Sequence, residues 1–182
     1  MGVNVLGNDY TYTLIDISHD IAITGASAIE LSSIGDNSSL GIATGKTVST
    51  DDSFGINFNT ALANAFIMNQ GTINATNSYS GMYINGAVSG TTITNYSGAT
   101  IDVTGNGTGI TRGIELGSTL ANSTITNSGT ISVANNGDYD VSAIFINEVQ
   151  SDVTITNEGS IEADYTGAYQ NANKEAHGIQ IE

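Results

Sequence analysis

The chain has 182 residues, 39% of them hydrophobic, enough for one domain with a sizeable core. Three Lys and Arg against 18 Asp and Glu leave a formal charge of −15, so nucleic acid and anionic lipid are excluded as partners for want of basic groups. Zero Cys excludes disulfides, thiolate metal sites and a Cys nucleophile, and the lack of any long apolar run argues against direct membrane insertion.

The opening residues, 1–27, carry strand-like "TYTLIDI" and "IAIT" but do not follow the spacing of what comes after. They are expected to form an irregular first coil or an N-terminal cap. Met1-Gly2 lead straight into this stretch without a basic or apolar leader, so any secretory signal would have been removed. From residue 28 to 182 one phrase recurs. "FIMNQGTI" (66–73), "TITNYSGATI" (92–101), "TITNSGTI" (124–131) and "TITNEGSI" (154–161) place Asn69, Asn95, Asn127 and Asn157 in one column. The match extends upstream, where "GINF", "GMYI", "GIEL", "AIFI" and "GIQI" open successive units near residues 55, 81, 113, 143 and 178. A degraded copy opens near 28, and the interrupted last copy suggests a piece of a longer protein.

Each unit holds three short runs in which apolar and polar residues alternate, the period of a strand. No unit can bury its apolar side alone, so the units must stack. The reading is all-β, a parallel β-helix with three short strands per coil and about five to six coils. Ile125 should point inward and Thr124 and Thr126 outward. Asn127 should bond the equivalent Asn one coil away, and Gly129 should supply a positive φ at the turn. Length variation falls after the third strand, so the inserts should line up on one side, the side that binds in many solenoids.

Few residues suggest chemistry. "GIATGKTVS" (41–49) lacks the first glycine and the following helix of a phosphate loop. Ser18, His19 and Asp20 are adjacent in sequence, whereas a working triad is assembled in space. "GDNSS" (35–39) resembles the nucleophile loop of trypsin-like proteases but lacks its second glycine. Arg112, Lys46 and Lys174 fall in different units, which argues against the clustered base of a polysaccharide lyase. Asp138 and Asp140 in "NNGDYD" are the candidate Ca²⁺ ligands, set against a solvated acidic loop; no other cofactor is called for. Tyr139, Tyr165 and Tyr169 stand in the inserts beside acidic groups and suit recognition of carbohydrate or protein. Thr92, Thr94, Thr124, Thr126, Thr154 and Thr156 should stack into an outward hydroxyl array, interrupted at Phe66 and Met68. That array resembles the Thr ladders of β-solenoid ice-binding proteins, though ordinary strand propensity of Thr explains it too.

The stacked I-x-N-x-G-x-I units, rich in Thr, Asn and Gly and free of Cys, also resemble the passenger region of Gram-negative autotransporters. The resemblance covers residues 28–182 and departs in lacking a translocator barrel and a signal segment. It implies an extracellular or cell-surface location, held at the outer membrane by a C-terminal barrel outside this chain. It further implies a non-enzymatic adhesin or self-association module, its partner a glycan or protein on a host or neighbouring cell. Ice binding is the alternative expectation, and a polysaccharide lyase the third.

Overall fold

The structure, a computed structural model, describes residues 3–5, 13–32, 34, 36–137, 139–165 and 174–182. Among them there are strands and turns but no helix, and the chain winds into a parallel β-solenoid of about five turns with three strands per coil. In chain order the strands are β1 (Val3–Val5), β2 (Leu14–Ile17) and β3 (Ile21–Ile23), then β4 (Ile29–Leu31), β5 (Ser39–Ile42) and β6 (Thr47–Thr50). The next turns hold β7 (Phe54–Phe58), β8 (Leu62–Ala63), β9 (Phe66–Asn69) and β10 (Thr72–Thr76), then β11 (Ser80–Ile84), β12 (Val88–Ser89), β13 (Thr92–Asn95) and β14 (Thr100–Gly105). The last are β15 (Thr111–Ala121), β16 (Thr124–Asn127), β17 (Thr130–Asn135), β18 (Val141–Ser151), β19 (Thr154–Asn157), β20 (Ser160–Tyr165) and β21 (Ala176–Ile181).

The first face runs β1-β4-β7-β11-β15, continues through β18 to β21, and takes in the short β8 and β12. The second runs β2-β5-β9-β13-β16-β19 and the third β3-β6-β10-β14-β17-β20. Residues 1–27 thus supply β1, β2 and β3, one strand to each face, paired in parallel with β4, β5 and β6.

Three columns of apolar side chains fill the interior. Ile29, Ile56, Met82, Ile114 and Ile144 stack behind the first face, Leu40, Ile67, Ile93 and Ile125 behind the second, and Val48, Ile73, Ile101 and Ile131 behind the third. All are buried, and each contributes about 1.5–3 kcal/mol relative to exposure. The β-branched side chains suit this role because their few rotamers match a pleated, one-sided surface.

The Asn column forms the expected ladder. Asn69 Nδ2 donates to Asn95 Oδ1 at 2.8 Å, Asn95 to Asn127 at 2.8 Å and Asn127 to Asn157 at 2.7 Å. The same Nδ2 groups also donate to Thr100, Thr130 and Ser160 carbonyls on the neighbouring coil. Asn69, Asn95 and Asn127 are almost fully buried, so these bonds meet a desolvation cost that would otherwise stand.

The reason for Gly129 differs from the sequence expectation. Its φ is not positive; among the described residues the left-handed glycines are Gly25, Gly45, Gly90, Gly98 and Gly107. A Cβ on Gly129 would instead run into the Ala99 and Tyr96 carbonyl oxygens, and one on Gly71 into the Lys46 and Ala43 oxygens. Glycine is needed there for close approach of stacked corners. This corner also varies in length, with two-residue turns at 70–71, 128–129 and 158–159 and the four-residue turns Ala43–Lys46 and Tyr96–Ala99, the latter each closed by an i+3 backbone bond. The sequence had placed all such variation after the third strand. A second corner carries Asn37, Asn64, Gly90, Asn122 and Asp152, all with φ between 46 and 60°. Beside it, Thr91 and Ser123 hydroxyls accept the buried Ala65 and Thr91 backbone N–H groups.

Asn95→Leu is expected to destabilise the fold by about 1–3 kcal/mol, because buried partners lose their bonds. Urea denaturation should show the outward Thr94→Ala shifting stability by no more than about 0.5 kcal/mol. The two glycine roles separate by substitution with Asn, which this chain already tolerates at positive φ. Gly98→Asn should be near neutral and Gly129→Asn should cost about 1–3 kcal/mol through overpacking, read from thermal midpoints by circular dichroism.

Candidate functional site

The first face and the inserts after the third strand meet in a groove of about 450 Å³. Its floor and one wall come from the outward positions of three successive first-face strands: Phe54 on β7, Tyr83 on β11, and Arg112 and Glu115 on β15. The other wall comes from the inserts, with Tyr79, Gly109, Ile110 and Tyr139. The expected alignment of inserts on one side is therefore what shapes the groove, and Tyr139 is part of it.

The aromatic groups are ordered against one another. Phe54 and Tyr83 stack with centroids 4.9 Å apart and planes 23° from parallel, and Tyr79 lies tilted at 6.2 Å from Phe54. Such pairs contribute about 0.5–1.5 kcal/mol beyond burial. Two glycines seat the rings. An added Cβ would come within 2.6 Å of Tyr79 at Gly109 and 2.9 Å of Tyr83 at Gly117. Position 117 is informative, since its counterparts after Phe58, Ile84 and Ile146 are Asn59, Asn85 and Asn147. The chain departs from its own repeat where Tyr83 needs room. The Tyr83 hydroxyl then donates to Asn85 Oδ1 at 2.9 Å.

The polar centre is an ion pair. Arg112 Nη1 donates to Glu115 Oε1, and the Ser80 hydroxyl donates to Glu115 Oε2. The Arg112 guanidinium also lies 3.4 Å over the Phe145 ring, a cation–π contact that closes the floor. Arg112 and Glu115 side chains are only 14% and 15% exposed, so their charges are poorly screened. Arg112 Nε is buried with no acceptor, and an unpaired buried donor costs about 1–3 kcal/mol. Burial pushes the Tyr83 phenol above its ordinary value, the Glu115 carboxylate adds to the rise, and Arg112 partly offsets it.

The rim is unusually apolar for an acidic chain: Tyr79 is 47% exposed, Ile110 40% and Tyr139 39%. Lys174 Nζ lies 5.5 Å over the Tyr139 ring. Arg112 and Lys174, which the sequence assigned to separate units, are thus linked through Tyr139, which shares the groove with Arg112 and lies under Lys174. No known protein family, curated protein or solved structure matches the chain. The groove must be read from its own chemistry.

The other sequence candidates are placed elsewhere. Thr92, Thr124 and Thr154 pair in register, as do Thr94, Thr126 and Thr156, continuing into Phe66 and Met68. The third face carries a longer outward file, Thr47, Thr72, Thr100, Thr130 and Ser160, which the sequence reading passed over. Tyr165 packs against the core. Tyr169 and Asp138 lie outside the described residues. Asp140 Oδ1 accepts the Glu175 backbone N–H at 3.2 Å, and no three His, Asp or Glu groups among the described residues converge as a metal site would require. Asp20 likewise serves structure, accepting Thr47 N–H at 2.8 Å. His19 Nδ1 contacts the Ser18 hydroxyl at 3.2 Å, and His177 Nε2 lies 2.9 Å from Glu175.

Five side chains of the groove were missed in the sequence, Phe54, Tyr79, Tyr83, Ile110 and Glu115, and Arg112 was weighed only as a lyase cation. The signal was present in the aligned units. Of two outward columns, Phe54/Ser80/Arg112/Ser142 holds large groups in every other coil and Asn57/Tyr83/Glu115/Phe145 holds large or charged groups in three adjacent coils.

Glu115→Gln is expected to move the Tyr83 titration downward, because it removes a neighbouring negative charge that opposes tyrosinate formation. Ultraviolet titration against a Tyr83→Phe reference reads the shift. With the folded-state value above that of free tyrosine, Tyr83's contribution to stability is held below the free-tyrosine range and falls as pH rises through it.

Proposed function

We propose that this protein is a non-enzymatic recognition module of a secreted or cell-surface protein. Its rigid solenoid presents the groove of the first face to a partner outside the cell. The observation that carries this reading is the convergence of exposed Tyr79, Ile110 and Tyr139 around the Arg112–Glu115 pair. An aromatic-lined concavity with a few convergent polar groups is the usual form of a binding site. Of the three cations set against a lyase, Arg112 is engaged by Glu115 and Phe145 and Lys174 by Tyr139, and Lys46 does not line the groove. That supports binding over turnover.

Stacked Thr- and Asn-rich coils without Cys support the further reading of an adhesin-like passenger of the autotransporter type. The stalk would hold the groove at a distance from the cell that bears it. Beads coated with the chain should adhere to cells or extracellular matrix. The double substitution Tyr79→Ala/Tyr139→Ala should reduce capture about tenfold or more, as loss of central aromatic anchors does elsewhere. Adhesion indifferent to that substitution would overturn the reading.

A second reading rests on the outward Thr files of the second and third faces. Their flat hydroxyl and methyl arrays would let parallel molecules associate laterally. At a charge of −15 such association should strengthen as salt or divalent cations screen repulsion. Sedimentation in rising NaCl and CaCl₂ tests it, with Thr124→Asp/Thr126→Asp expected to abolish the effect. Thermal hysteresis in the absence of self-association would favour ice binding through the same files.

A further inference from the structure

We infer that the ligand of the first-face groove is an uncharged oligosaccharide whose pyranose rings stack on Tyr79 and Tyr139 and whose hydroxyls are read by the Arg112–Glu115 pair. This rests on the reading of the groove as the binding site and adds the chemical class of what it binds.

Size comes first. A groove of about 450 Å³ lined by eight residues falls in the range of small-ligand sites. A stable protein partner would cover roughly 20–30 residues on its side of an interface. Charge comes next. The two ionised groups lining the groove, Arg112 and Glu115, cancel each other. Around them lies a surface that is part of a chain of net charge −15, which disfavours the approach of polyanions such as uronates or sulfated glycans. A cationic ligand is poorly served too, because Glu115 already holds Arg112 and the Ser80 hydroxyl.

The remaining chemistry fits a sugar. A pyranose carries C–H bonds on its faces and hydroxyls around its rim, so it needs a flat apolar surface beside donors and acceptors. Tyr79 and Tyr139 provide exposed rings, and Ile110 extends the apolar rim between inserts. The ion pair retains donors on Arg112 and lone pairs on Glu115 beyond those already used. Adjacent donor and acceptor groups match vicinal hydroxyls, each of which both gives and takes a hydrogen bond. Tyr83 and Gly117 act as positioning residues: Tyr83 props Phe54, and Gly117 leaves room for Tyr83.

The chain has eight Tyr and no Trp, and three of them, Tyr79, Tyr83 and Tyr139, line the groove, so tyrosine emission, compared between the chain and its groove variants, reads binding there. The full chain would be titrated with neutral hexasaccharides of glucose, mannose and galactose, and with hexagalacturonate and sialyllactose as charged probes. At least one neutral series should change the tyrosine emission saturably. Tyr79→Ala and Tyr139→Ala should each weaken its binding by tenfold or more, and Gly117→Asn should weaken it with the thermal midpoint nearly unchanged. Tyr96→Ala, at an exposed tyrosine on another corner, should leave it unaltered. Binding of the charged probes alone, or neutral binding untouched by the groove substitutions, would overturn the inference. If coated beads adhere through the groove but no neutral hexasaccharide competes, the ligand class fails while the binding site stands. If adhesion also ignores the groove substitutions, both fail.

Discussion

In-register parallel stacking is the constraint on which the other features depend. At about 4.8 Å per coil each residue faces its counterpart one turn away, so a choice at one position is tested against the same position above and below. The inward columns become continuous apolar files. The buried amides of Asn69, Asn95 and Asn127 survive because an identical amide lies one rung off, the file ending at Asn157. Gly71, Gly129 and Gly159 follow from the same repeat distance, since the corners they occupy come too close to the preceding corner for a side chain.

The same constraint explains how so acidic a chain can fold compactly. Like charges directly opposed across paired strands are destabilising. In the described ladders no carboxylate pairs with a carboxylate. Asp102 lies between Asn74 and Ser132, Glu115 between Tyr83 and Phe145, and Glu30 opposite Asn57. Glu162 faces Ser132 and Asp164 faces Ala134. Acidity is thus spread between columns and coils, where solvent and salt screen it.

The groove arises where the repeat is broken. Outward positions that hold Ser or Asn in some coils hold Phe54, Arg112, Tyr83, Glu115 and Phe145 in adjacent ones, and stacking compels these unlike groups to meet. The result is a ring stack, an ion pair and a guanidinium over a ring, within four successive coils. A perfectly regular solenoid would present uniform files, as the Thr arrays of the second and third faces nearly do. Recognition of a shaped ligand needs the irregular coils, and their position next to the inserts gives the groove its second wall.

The sequence by itself determined the coil. Its period, the inward Ile positions, the outward Thr pairs and the Asn column were all legible, because in-register stacking turns one-dimensional repetition directly into neighbourhood. What it left undecided were relations between unlike positions. The demand for glycine at 129 comes from the height of the preceding corner rather than from a local φ, and no single unit shows that. Arg112 and Lys174 lie in different coils, yet Arg112 shares the groove with Tyr139 and Lys174 lies over its ring, contacts set by packing and not by the repeat. Tyr165 and Tyr139 read alike in sequence, but a strand holds Tyr165 half-buried against the core while an insert lifts Tyr139 to the rim. Only the tertiary structure decided those, because each depends on the shape of a neighbouring coil.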